Sequence, residues 1–212
     1  MVTATLVASL ALFSSDIVVR YYNQAKIKPP ALKVAVQTAD SVFRKAHLEL
    51  KWVDCLSDYP KRCDLSVTGF DVLLIAGRSP NRIGRHLPLG HAVLTPGGMG
   101  RYARIYLPQV EEYALSIDVP VPAVLGYTVA HEIGHLLLGD GRHAPTGLMK
   151  AVWSRADRHL ISGGRFSFHP KEAQKIRLKM LGLSSSPATE ARAPNTRSVN
   201  PLAELFSRFF WQ

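Results

Sequence analysis

His131, Glu132 and His135 stand in the spacing H-E-x-x-H. On a helix, positions i and i+4 share one face, so both imidazoles can turn toward a single metal ion. Glu132, next to the first of them, is placed to take a proton from a metal-bound water. Such a trio supports metal-assisted hydrolysis. The ordinary alternative is a pair of histidines on a helix with no ligand, and the context argues against it. Val121 to Ala130 read as an apolar helix with a proline at its start, and Leu136 to Leu138 continue it. Two imidazoles and a carboxylate in the middle of a core helix need partners, and a metal ion supplies one.

A catalytic zinc keeps three protein ligands and leaves a fourth position for water. Gly139-Asp140-Gly141 ends the helix, because glycine tolerates the left-handed conformation at a helix C-terminus. The chain can then turn back and bring His143 toward the metal. Asp140 competes for the third place, although it follows the helix closely and reads equally well as a turn residue. Glu172 is the only glutamate within about forty residues downstream, and a place on the surface of its own helix suits it better. His143 is the better ligand by softness and reach. Pro145 to Met149 read as a tight turn that places Met149 as an apolar floor.

The run H-E-I-G-H-L-L-L-G-D-G-R-H, followed by A-P-T-G-L-M, resembles the extended motif of the metzincin zinc peptidases, H-E-x-x-H-x-x-G-x-x-H with a methionine turn. The glycine falls one residue late and the last histidine two residues late, and strict spacing puts Gly141 at the third-ligand position. The H-E-I-G-H-L-L-L-G core with its following H-x-x-x-G-x-M also resembles a group of small bacterial metalloproteases, from about residue 33 to residue 182. The resemblance implies a zincin-like α/β (α+β) domain, a small twisted mixed sheet packed on the motif helix. It also implies Zn2+ held by His131, His135 and His143, Glu132 as general base, and Met149 beneath the metal. A peptide or protein would be the substrate, paired by its main chain with an edge strand over the metal. The candidate for that strand is Gly90 to Leu94 with the glycine-rich turn after it. Some metzincins carry a tyrosine just after the methionine, and this chain has none beyond Tyr127. Arg155, His159 and His169 are the residues left to stabilise charge on oxygen, although each reads better as a surface residue near the cleft.

These residues need a frame. Lys33–Gln37 reads as a first strand and residues 38–47 as a helix through Ala39, Val42, Phe43 and Ala46. Leu48–Val53 alternates as a second strand, and Asp71–Ala76 is a continuous apolar run that suits a buried central strand. Ala92–Leu94 and Ala103–Leu107 follow as strands around the turn Pro96–Gly100. Residues 108–116 read as a helix before the motif helix, and Pro170–Leu181 as another, stopped by Gly182. A sheet followed by a motif helix is the zincin order.

The chain has 212 residues and 47% hydrophobic composition, enough for one domain with a sizeable core. Residues 33–182 hold that domain. Residues 1–16 include a short apolar run, Thr3 to Phe13, that reads as a signal segment without the usual positive start, or as a buried N-terminal element. Export is the expectation and a cytoplasmic protein the alternative. Cys55 and Cys63 would pair in an exported protein and stay free thiols in a reducing compartment. Residues 183–212 form a tail of serine, proline and alanine ending in an apolar aromatic stretch. Residues 141–212 hold 12 Lys+Arg against 4 Asp+Glu, so +8 of the net +10 lies there. That charge suits contact with acidic substrates or anionic surfaces. No nucleic-acid motif accompanies it, so no nucleic-acid partner is expected, and a monomer is. The competing function is a non-catalytic zinc-bearing module that binds a partner through its basic face or aromatic tail.

Overall fold

The computed structural model describes residues 17–55, 63, 69–80, 87–95 and 100–181. Five strands form one mixed sheet: β1 (Ile17–Asn23), β2 (Leu50–Asp54), β3 (Gly69–Ile75), β4 (Gly90–Val93) and β5 (Tyr102–Tyr106). Their order is β2-β1-β3-β5-β4. The first four neighbours run parallel, and β4 is antiparallel to β5 at the edge. The chain is therefore a mixed α/β fold, as its sequence pattern implies.

The helices pack on one face. α1 (Pro29–Lys45) and the motif helix α3 (Val121–Leu138) lie against each other there, and α2 (Leu107–Ile117) leads from β5 to α3. Val19, Val72, Leu74 and Ile105 meet Val42, Phe43, Leu125 and Ile133 in the core, all at most 2% exposed. α3 is long and apolar enough to cross a membrane by composition alone, but most of it is buried inside the fold. It ends at Gly139, which takes the left-handed conformation expected of the cap. α4 (Arg158–Ser162) and α5 (Pro170–Met180) complete the helices.

Two differences from the sequence reading concern the first third of the chain. Lys33–Gln37 is not a strand but lies within α1, which opens on Pro29 and Pro30. Val34 and Val36 suggest alternation, yet the buried positions Leu32, Ala35, Ala39, Val42 and Phe43 follow helical spacing, and Val34 is 45% exposed. The sheet also draws on residues before 33. β1 sits between β2 and β3, with Val19 and Arg20 in register with Phe70 and Asp71. Its sequence, Ile-Val-Val-Arg-Tyr-Tyr-Asn, is rich in β-branched and aromatic residues. On the face away from the core helices, Arg20 is 1% exposed and ion-paired to Asp71 at 2.6 Å, with Arg101 at 3.2 Å from the same carboxylate.

The other elements fall close to their expected places, with β3 in the middle of the sheet. Cys55, just after β2, is bonded to Cys63. The expected signal segment, most of the turn Pro96–Gly100 and the tail from residue 183 lie outside the described residues.

Candidate metal centre

α3 places His131 and His135 one turn apart, and both are buried. Their Nε2 atoms face each other at 3.1 Å. Each ring is fixed from behind by a main-chain carbonyl. His131 Nδ1 lies 2.8 Å from the Leu148 oxygen, and His135 Nδ1 lies 2.8 Å from the Asp140 oxygen. A carbonyl can only accept, so each Nδ1 carries the hydrogen and donates it. In the neutral rings both Nε2 atoms are then bare lone pairs pointing at one another. Burial keeps the rings neutral: it pushes His131 down to about 3, with His135 adding to the effect, and it lowers His135 as well.

His143 completes the group. It lies on the loop after α3, more exposed than the other two, and its ring stacks on His131 at 5.5 Å between centroids. One nitrogen from each of the three rings lies within 4.8 Å of the others. Two opposed lone pairs with a third nitrogen beside them repel one another unless a cation lies between, so these residues fit a divalent metal with imidazole preference, zinc among them.

The other two candidates are engaged elsewhere. The Asp140 carboxylate binds Arg142, accepting from its main-chain N–H at 2.9 Å and from its guanidinium at 2.8 Å. Those bonds hold it down at about 2. Asp140 thus meets the cluster through its carbonyl on His135. Glu172 closes a capping box at the start of α5, accepting from the His169 N–H at 2.8 Å.

Glu132 is 5% exposed and points to the edge strand. A methyl group on Gly90 would lie 2.7 Å from its Cγ and Oε1. Glycine at position 90 is what lets the carboxylate reach β4, where the Ala92 N–H donates to it. Burial nonetheless pushes the carboxyl up to about 8, and the Ala92 bond only partly opposes that.

Beneath the cluster the chain folds back. The Ala144 N–H donates to the Met149 carbonyl at 2.8 Å, closing the turn. Met149 is 1% exposed and its sulfur packs on the bare Cα of Gly134, where a methyl would come within 2.8 Å. The Leu148 carbonyl that holds His131 also accepts from Trp153 Nε1 at 2.9 Å. One short turn therefore supplies both the apolar floor and the anchor of a histidine.

A cleft of about 530 Å3 opens over these residues, walled on one side by β4 and on the other by Trp153. Of the three candidates for stabilising charge on oxygen, Arg155 lines this cleft. His169 is the N-cap of α5, accepting from the Lys171 N–H, and His159 is an exposed residue of α4 that does not line it. Sequence reasoning missed the two carbonyls behind the histidines, the Gly90 contact and Tyr113 in the cleft wall. Main-chain groups and contacts between distant segments leave no local pattern to read. The glycine at 90 beside a short apolar strand is the one signal that was available.

No family model and no curated protein matches the chain. The crystal structure of a zinc-dependent peptidase from Methanocorpusculum labreanum (strain Z) is similar, with a TM-score of 0.49 at 12% identity over 75% of this chain and 99% of that one. Likeness at that level carries nothing about the reaction from one protein to the other.

Proposed function

We propose that this chain is a zincin-like zinc peptidase, of metzincin type with a loop two residues longer before its third histidine. The observation that carries the reading is the pair of bare Nε2 atoms 3.1 Å apart in a buried, carbonyl-anchored cluster. His131, His135 and His143 would hold the metal, with Met149 as the floor. A bound zinc polarises a scissile carbonyl and lowers the pKa of its water to about 7.

The remaining work falls to the chain. Glu132, buried beside the first ligand, takes the water proton and passes it to the leaving amine. β4 is an edge strand beside the cleft, so a peptide can pair with it and lie across the metal. The cleft is large enough for several side chains. The Cys55–Cys63 bond is compatible with an oxidising compartment, so we place the enzyme outside the cytoplasm, with residues 1–16 as its export signal and the catalytic unit reaching to about residue 182.

The test pairs metal content with cleavage of a mixed peptide library. The purified chain should carry one zinc and cleave in a chelator-sensitive way. Glu132→Ala should keep the zinc and lose cleavage by a factor of about 100 or more, whereas His131→Ala should lose both. Peptide cleavage retained by Glu132→Ala would overturn the mechanism. One zinc with no cleavage by the parent would leave a zinc-bearing binding module instead.

A further inference from the structure

The wall of the cleft on the Trp153 side has a polar inventory that is nearly spent. Ser116 Oγ donates to the Tyr113 carbonyl at 2.8 Å, and Thr128 Oγ1 to the Val124 carbonyl at 2.9 Å. Trp153 Nε1 is committed to Leu148, and Lys150 Nζ donates to Asp157 at 2.6 Å. Two groups on this wall remain uncommitted among the described residues. The Tyr113 hydroxyl is buried without a hydrogen-bond partner, its ring edge-on to Trp153 at 6.1 Å. Arg155, two residues beyond Trp153, lines the cleft with an exposed guanidinium that forms no ion pair there.

Both groups are donors, and one is a permanent cation. Apart from Glu132, no carboxylate among the described residues lines the cleft. The nearby Asp157 does not line it: its carboxylate accepts from Lys150 and from the Ser154 N–H and hydroxyl, although its charge still reaches the Tyr113 phenol. An apolar substrate side chain would leave the Tyr113 hydroxyl buried and unpaired, which carries a cost. A lysine would face Arg155. A carboxylate can accept from both donors, and Ile117, Val152 and Trp153, which line the same cleft, offer apolar surface for its methylenes.

We infer that the Trp153 side of the cleft is a subsite for an acidic side chain of the substrate, glutamate before aspartate, read by Arg155 and the Tyr113 hydroxyl. This rests on the peptidase reading above and names the substrate class that it leaves open.

The experiment uses peptides identical except at one position, which carries Glu, Gln, Leu or Lys and is moved through the three residues on either side of the scissile bond. Cleavage is measured with the full zinc-loaded chain, with Arg155→Glu and with Tyr113→Phe. Binding of the same peptides is measured with zinc-loaded Glu132→Gln, alone and combined with each change. At one position the parent should prefer Glu over Gln by about tenfold, Arg155→Glu should reverse the order in favour of Lys, and Tyr113→Phe should narrow the Glu preference several-fold. A preference identical in the parent and in Arg155→Glu would overturn the subsite. Cleavage without any preference for Glu would overturn it while leaving the peptidase standing. Glu-selective binding that depends on Arg155, with no cleavage, would uphold the subsite and remove the peptidase. Neither binding nor cleavage would remove both. Arg155 is exposed, so its change should not disturb folding, and Arg155→Gln serves as a second variant if it does.

Discussion

At the scale of single residues, the position of Glu132 depends on an atom that is missing from its neighbour. Gly90 has no Cβ, and the carboxylate occupies that space. Gly90→Ala should therefore leave the three histidines and their zinc in place while displacing the carboxylate by about an ångström. Misplacement on that scale costs about 100-fold in rate. The check is zinc stoichiometry beside kcat for the same preparation: full zinc with cleavage near that of the parent would show that the carboxylate has another place to go. The ligand types and their spacing were legible in the chain, because i and i+4 histidines around a glutamate point to one face of one helix. The Gly90 contact was not, since it joins a strand to a helix more than forty positions away.

At the scale of elements, the centre is held by the packing of α3 on the turn that carries Met149. Gly134 lowers the helical propensity of α3, and the reason appears only in three dimensions, where the Met149 sulfur and the Phe168 ring lie against its Cα. Gly134→Ala should be destabilising by about 1–3 kcal/mol through overpacking, despite its better helix propensity. It should also loosen zinc binding about 10-fold or more, because pushing Met149 outward shifts the neighbouring Leu148 carbonyl that anchors His131. Thermal unfolding with and without zinc, together with competition against a chelator, separates the two effects. Unchanged zinc affinity in a destabilised variant would show that the turn can move without disturbing its anchor. Most elements were legible because their patterns are strong: an apolar run for β3, a proline start and glycine stop for α3. The first half of α1 was misread because five residues with alternating valines fit a strand, and only the longer window through Phe43 shows the helical period.

At the scale of the whole molecule, the sheet carries helices on one face and a buried ionic knot on the other. Tyr22 stands beside that knot, its phenol pushed up to about 12 by burial, with the Asp71 charge adding to the effect. A group that holds its proton more tightly in the folded than in the unfolded chain contributes stability that is present below its unfolded pKa, about 10 for tyrosine, and is lost as pH rises through the folded value. Stability should thus decline between about pH 10 and pH 12, and Tyr22→Phe should flatten that decline. Urea midpoints over this range decide it; parallel declines in the two proteins would assign the alkaline limb to other groups. The sheet's own start at Ile17 was hidden from sequence reading because β1 adjoins the apolar run of the first residues, where one reading competes with the other. The last consequence concerns the edge strand. The Tyr106 N–H donates to the Leu89 carbonyl, so the antiparallel alternation turns the main-chain groups of Gly90 and Ala92 outward, away from β5. One of those outward rungs, the Ala92 N–H, is already held by Glu132. A peptide climbing this ladder must skip that rung or take it from the carboxylate, and in taking it would release the base at the moment the peptide comes to lie across it.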